Sequence, residues 1–511
     1  MTSLYFTSND YLLSLPIAML ALFGLGVLLV DLLLPAEWKV VNALTAFVGL
    51  VFSAAAVWRI QLAYGAEQAR GLAPLQNGFL RSWQVDPFAI FFFYLFLTGA
   101  AITILMSVRY LEVEREHHGE YYALILFSVI GMMCMAAGTD IVLLFIGLEL
   151  MAISTYVLVG FLRRDRRSNE AALKYLLLGA FSSGIFAYGL SLLYGLSGST
   201  NLGQISRSLQ AVMQRDPKDP IAILALITTA AGLFFKIAAV PFHQWAPDAY
   251  EGAPTSITGW MSVAVKAAGW AMLMRILLWG LSPMRATWVP VLVFVSIATM
   301  TGANFAALTQ TNTKRLLAYS SIAHVGYMLL GLIAGTLTEL SPDGIKGILI
   351  YLLVYTFMNL GAFGVITSLR HRNVIGDELD DLNGLYSRAP VEAVLMLIFL
   401  LSLAGIPPLA GFYGKYFIFL SLIETGHYAL ASLGVFYSVF GLYYYLKMAN
   451  AMFMGEPEER GVLPVSWTMR AALAVTAFAT VFIGIMPDRF INIVNWSLGL
   501  VQSSAVAKLI R

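Results

Sequence analysis

The sequence predicts an all-α membrane protein of about fourteen transmembrane helices, arranged as two inverted five-helix repeats with helices seven and twelve broken. Three observations carry this reading. Hydrophobic residues make up 59% of the 511 and charged residues 12%, about half the fraction usual in soluble domains. The apolar residues fall in runs of about 20, the length that crosses a ~30 Å hydrocarbon core. Short motifs also recur in the same order at similar offsets, with prolines interrupting two of the matched runs.

Apolar runs bounded by charged and Gly/Pro/Asn clusters place spans at 11–34, 40–62, 86–108, 121–138, 140–161, 170–196, 220–241, 255–280, 287–309, 315–335, 343–369, 390–423, 428–454 and 465–487. Only "GTD" separates the fourth from the fifth. The twelfth contains "GIPPLAGF" and is too long for one plain crossing. No polar block is long enough for a soluble domain, so 1–511 is expected to be a single membrane domain. Within it, 11–110 holds helices one to three, 121–280 the first repeat (helices four to eight), 287–454 the second (nine to thirteen), and 465–511 helix fourteen and the tail.

The start, "MTSLYFTSND", lacks the basic region of a cleaved signal peptide, so the first span is expected to be retained. An even span count puts both termini on one side. The loops after odd-numbered spans carry Lys39, Arg109, Arg115, the "RRDRR" cluster 163–167, Lys314, Arg315, Arg370, Arg372, Arg388, Arg460 and Arg470. Those loops are therefore assigned to the cytoplasm, and the termini to the periplasmic side of a bacterial inner membrane. Two segments fit short helices lying on the membrane surface, or ordinary loop helices: Ile205, Leu209 and Met213 before span seven, and Phe490, Ile493, Val494, Leu498 and Val501 in the tail.

The net charge of +2 suggests no nucleic-acid partner. The single cysteine, Cys134, excludes an internal disulfide and a cysteine-ligated iron–sulfur cluster. No G-x-G-x-x-G follows a strand, and P-loop, H-E-x-x-H and C-x-x-C patterns are absent, so neither nucleotide chemistry nor a metal site is expected in the chain.

The repeat rests on three alignments. "YVLVG" (156–160) matches "YMLLG" (327–331), "KYLL" (174–177) matches "IYLL" (350–353), and "AAVP" (238–241) matches "AGIP" (404–407), at offsets of 171, 176 and 166. Each shift spans five helices, an odd number, so equivalent helices cross in opposite directions. Pro241 and Pro407–Pro408 then interrupt corresponding helices. The backbone groups they free are tolerated at membrane depth only when buried in protein or lining a cavity.

Ionisable residues inside spans narrow the chemistry. They are Glu149, Lys174, Lys236, Lys266, His324, Lys415 and Lys447. Lys174 and Lys447 lie close enough to span ends to snorkel, and His324 fits a satisfied polar residue between helices as well as a relay. Glu149, Lys236, Lys266 and Lys415 are too central for that, and each charge at such depth costs roughly 2.5–3.5 kcal/mol. A hard cation would want several carboxylates, whereas lysines repel it. Desolvation favours a neutral amine and a nearby carboxylate favours the ammonium. Glu149 approaching or leaving Lys236 would thus switch that lysine between holding and releasing a proton. Lys236, Lys266, His324 and Lys415 read as proton stations in two half-channels.

The stretches "LELMAISTYVLVGF", "NEAALKYLLLGAFSSGIFAYG", "GLFFKIAAVPFHQWAPDAYEGAP", "TKRLLAYSSIAHVGYMLLG" and "LAGIPPLAGFYGKYFIF" together resemble subunit N of bacterial NADH:quinone oxidoreductase (respiratory complex I), over about residues 85–455. The resemblance implies an antiporter-like membrane-arm subunit with a proton path. Its helix-five glutamate would be Glu149, and its lysines of helices six, seven, eight and twelve would be Lys174, Lys236, Lys266 and Lys415. It also implies partners: the antiporter-like subunit M and the small helical subunits of the arm, within a lipid bilayer. Cofactors are implied to lie elsewhere in the complex, with NADH, FMN, iron–sulfur clusters and quinone bound by other subunits. Subunit M has glutamate at the position of Lys415, and subunit L is longer, with a lateral helix that a chain ending "AVAKLIR" does not supply. A chloroplast homologue in a ferredoxin-linked complex fits the same residues. The alternative reading is a subunit of a multisubunit Na⁺/H⁺ antiporter, driven by ion gradients alone.

Overall fold

The computed structural model describes residues 7–69, 77–116, 118–337, 343–370, 376–456 and 465–503. Arg372, Arg460, residues 1–6 of the start and residues 504–511 of the tail lie outside them, as does the side chain of Val501. Among the described residues, thirteen helices are long and apolar enough to cross a membrane. The run expected as the twelfth span is instead two shorter helices, Pro390–Ala404 and Ala410–Glu424. The only strands among the described residues form a two-residue pairing of Asn77–Gly78 with Trp83–Gln84.

Helix starts follow capping chemistry that is visible in the sequence. Asp86 caps Pro87–Glu114, Asp140 caps Ile141–Val159, Asp165 caps Arg166–Ser197 and Asp219 caps Pro220–Ile237. In each, the carboxylate accepts backbone N–H groups that have no partner inside the helix, and two of the four place proline first, where its missing N–H costs nothing. "GTD" suffices to separate two helices because Asp140 starts the second directly after Gly138 ends the first.

The seventh helix departs from expectation. It ends at Ile237, four residues before Pro241, with Ala238 in the left-handed region at φ 59°. The chain then turns through 238–244 and resumes as the short helix Trp245–Gly252. In the twelfth, Gly405 holds the same position at φ 86°. The helix caps are therefore offset by 167, one residue from the 166 of the aligned motifs. The Val240–Pro241 and Pro407–Pro408 bonds are both cis.

Helix pairing follows one scheme in both halves. Gly119–Ala137 packs on Ile141–Val159 as Arg285–Leu308 packs on Thr313–Leu337, and Arg166–Ser197 packs on Pro220–Ile237 as Asp343–Ser368 packs on Pro390–Ala404. The two amphipathic segments are helices, Leu202–Arg215 and Pro487–Ser503. Their apolar faces meet protein: Ile205, Leu209, Val494 and Leu498 are buried against the bundle, while Ile493 is exposed.

The eighth span has an unexpected interior. It runs as α-helix Thr255–Trp260, π-helix Met261–Val265, α-helix Lys266–Arg275 and π-helix Ile276–Gly280. Fully buried Arg275 donates to both carboxylate oxygens of Asp86, at 2.8 and 2.6 Å, and to the carbonyl of Ala136 at 2.9 Å. Its guanidinium lies against the rings of Phe88 and Trp279. Arg275→Met would strand a buried carboxylate, at a cost of about 3–5 kcal/mol. We expect that variant to lose most of its assembled complex in native gels. Arg275→Met with Asp86→Asn, which keeps a cap and removes the charge, should recover assembly.

Candidate functional site

The site is a line of buried polar groups crossing the bundle. At one end is Lys236, the penultimate residue of Pro220–Ile237 and 3% exposed. Its Nζ has no hydrogen-bond partner in the protein and lies 5.9 Å from the Tyr156 ring centroid and 5.7 Å from that of Phe235. Glu149 and Tyr156 share the helix Ile141–Val159, and the Glu149 carboxylate acts electrostatically on both Tyr156 and Lys236. One Glu149 oxygen is buried without a hydrogen bond, as is the Tyr156 hydroxyl. A fixed buried charge with no partner costs several kcal/mol. Lysine, unlike arginine, can answer that cost by giving up its proton.

The helix that carries Lys236 abuts the helix that carries Lys266. A Cβ placed on Gly269 would lie 3.5 Å from Lys236 Cβ, so glycine there permits the close approach. Lys266 begins the α-helical stretch after the first π turn; such turns re-aim side chains and often mark functional sites. Its Nζ donates to Ser321 Oγ at 2.5 Å and lies 5.5 Å from the Tyr250 ring centroid.

The helix Thr313–Leu337 carries the line onward. Ser321, His324 and Tyr327 recur at three-residue spacing, which stacks them on one face. His324 Nδ1 is 2.5 Å from the Tyr351 hydroxyl and Nε2 is 3.0 Å from that of Tyr445, and Ser320 Oγ also reaches Tyr445. Lys266 and Lys415 both act electrostatically on His324. Beyond it, the Tyr327 ring centroid lies 5.2 Å from Lys415 Nζ. Lys415 donates to the Ala404 carbonyl and to Ser438 Oγ, each at 2.8 Å. Two of its three N–H donors are thereby used.

Cavities adjoin both helix breaks. One of about 310 Å³ is lined by Ser182, Phe235, Pro241, Phe242, Gln244 and Trp245 among others, with Lys236 outside the lining. The second, about 330 Å³, includes Gly405, Lys415 and Ser438 in its wall. Space next to the lysine is therefore direct at Lys415 and indirect at Lys236.

Lys174 and Lys447 do not join the line. Lys447 donates to the Gln310 carbonyl at 3.2 Å, closing the chain after the ninth helix rather than snorkelling. Lys174 is half-exposed and pairs with Glu170 at 3.0 Å and Asp248 at 3.1 Å. Asp248 also meets Arg315 at 2.8 Å, and the same guanidinium nitrogen reaches Glu251 at 2.8 Å. Burial works to raise the Asp248 carboxyl, but Arg315 and Lys174 outweigh it and hold the group below its ordinary range. Its contribution is thus present above the ordinary value and lost only as pH falls through the lower folded one.

Ser321, Ser438, Tyr445 and the acids Glu170, Asp248 and Glu251 went unmarked in the sequence reading, and Tyr327 and Tyr351 entered it only inside the aligned repeat motifs. The three-residue spacing around His324 was the one available signal for any of them.

Residues 138–441 match the family described as "NADH:quinone oxidoreductase/Mrp antiporter, TM". The chain is 63% identical to "NADH-quinone oxidoreductase subunit N 1" of Koribacter versatilis (strain Ellin345), over all of both chains. It is 53% identical to "NADH-quinone oxidoreductase subunit N 2" of Solibacter usitatus (strain Ellin6076), over 97% of this chain and 99% of that one. Among solved structures, a chain of respiratory complex I from Thermus thermophilus with bound aureothin superposes with a TM-score of 0.75 at 31% identity, covering 93% of this chain and 98% of that one. A chain of the Mrp complex from Dietzia sp. DQ12-45-1b gives 0.82 at 20% identity, over 99% of each, a likeness of fold.

Proposed function

The chain belongs to the subunit N family of NADH-quinone oxidoreductase, and from that premise we propose that its buried polar line is the proton path of a redox-driven proton translocase. It is a multi-pass membrane subunit of such a complex, and NADH oxidation and quinone reduction belong to other subunits, with their FMN and iron–sulfur clusters. The observation that carries the reading is the series Lys236, Lys266, Ser321, His324, Tyr327 and Lys415, buried and consecutive across the bundle. Every member except Ser321 and Tyr327 was singled out in the sequence for its charge or for its place inside a span.

Protons suit this line because each station can hold or release one without a metal ligand set. Glu149, next to Lys236, is the group whose movement sets that lysine's charge. The helix breaks at 238–244 and 405–409 lie on opposite-running helices of two inverted repeats, 121–280 and 287–454, and supply the two half-channels. The termini face the periplasm of the inner membrane.

A gradient-driven Na⁺/H⁺ antiporter subunit is disfavoured by the chemistry of the line, in which lysines would repel the cation. Purification separates the two readings. The chain should co-purify with flavin and iron–sulfur subunits, and inverted vesicles should acidify on NADH in sodium-free buffer. Sodium-dependent acidification without NADH would overturn the proposal.

A further inference from the structure

The Asp248 cluster lies off the polar line but on a half-helix that touches it at Lys266. Asp248 and Glu251 are on the half-helix Trp245–Gly252, beyond the break in the seventh helix. That half-helix bears Tyr250, whose ring faces Lys266 Nζ, and Trp245, which donates to the Phe235 carbonyl at 2.8 Å and stacks on Tyr175. Because the turn 238–244 interrupts the main-chain hydrogen bonds, the half-helix cannot inherit its orientation from Pro220–Ile237. Side-chain contacts must orient it.

On the polar side those contacts come from two helices. From the tenth, Arg315 Nη1 bridges Asp248 and Glu251 at 2.8 Å each, and its Nε donates to Gln310 at 3.3 Å. From the sixth, Lys174 reaches Asp248 at 3.1 Å while also pairing with Glu170 at 3.0 Å. Glu170, Lys174, Asp248, Glu251 and Arg315 are the charged groups that meet here. The two cations are not equivalent. Arg315 makes shorter contacts, is about one quarter exposed and bridges both acids of the half-helix, whereas Lys174 is nearly half exposed and shared with Glu170. An exposed, divided lysine pair is easily exchanged, and a bridging guanidinium is not.

We propose that Asp248 and Arg315 are positioning residues that fix the half-helix over Lys266, and that Lys174 is an exchangeable partner able to leave Asp248 without releasing it. This rests on the proton-path reading and gives Lys174 a task outside the buried line, at the end of the bundle the sequence assigns to the cytoplasm.

The experiment uses the assembled complex in inverted membrane vesicles, with turnover and NADH-driven acidification normalised to assembled complex. Asp248→Asn and Arg315→Gln should each lower proton translocation about tenfold, within the range that small misplacements of a reacting group produce. Asp248→Glu should restore most of it, and Lys174→Met should lower it less than either. If Asp248→Asn does not assemble, Arg315→Gln, which leaves the Lys174 contact in place, carries the test. Wild-type translocation in assembled Asp248→Asn or Arg315→Gln overturns the proposal, as does no recovery in Asp248→Glu. Lys236→Met in parallel tests the underlying reading: full pumping there would remove the path itself, whereas its loss beside an unaffected Asp248→Asn would remove only the positioning role.

Discussion

Replacing Lys236 with methionine is expected to abolish proton translocation, by about 100-fold or more, while the complex still assembles. The first half follows from what the group does. A proton station removed from a relay removes the general acid–base step it performs, worth roughly 10²–10⁴-fold. The second half follows from what the group does not do. Lys236 Nζ makes no hydrogen bond in the protein, so methionine deletes none and fills similar space. Glu149 loses a nearby cation in the variant but no hydrogen bond, so the loss to folding is smaller than where a bonded partner is stranded. The contrast with Arg275, which holds Asp86 at two points, is sharp: there truncation costs assembly, and here it should cost turnover alone. Native gels with NADH-ferricyanide staining report assembly, and quenching of a pH-sensitive dye reports pumping. Normal pumping in Lys236→Met would falsify the reading of the buried line as the path.

Gly405→Ala is expected to cost at least about tenfold in pumping although Gly405 carries no chemistry. The residue sits at φ 86°, where a Cβ is disfavoured by about 1–2 kcal/mol. That Cβ would also lie 2.9 Å from Lys415 Cδ and 3.4 Å from Nζ. The lysine must then give up its contacts with the Ala404 carbonyl and Ser438, because its stem is what blocks the space. If the effect runs through Lys415, Gly405→Ala combined with Lys415→Met should be no worse than Lys415→Met alone, since residues acting as one unit are not additive. Additive losses would mean that Gly405 serves the backbone only. Ala238→Gly is the matched control: it relaxes the corresponding left-handed cap at φ 59° and should leave pumping intact.

Much of the fold was legible because a bilayer imposes a length and a composition on every span. Thirteen of the fourteen expected spans correspond to single helices, and Asp86, Asp140, Asp165 and Asp219 mark starts by ordinary capping chemistry. The internal charges were legible for a related reason: a lysine in hydrocarbon is expensive, so Lys236, Lys266 and Lys415 stood out without any knowledge of their neighbours.

Partnership was not legible. The sequence by itself determined that this is a helical membrane protein with titratable groups at depth and two interrupted helices. Only the tertiary structure decided which of those groups form a line, that Ser321, Tyr327 and Tyr445 join them, and that Lys174 turns instead to Asp248. The break in the seventh helix shows the same division. Pro241 announced an interruption, but the helix stops earlier, at Ile237, and leaves Lys236 in its last turn. Burial cost is a property of one residue and its span, and can be read along a chain. Hydrogen bonds and ion pairs between helices depend on rotation about each helix axis, which packing sets and a linear pattern does not record.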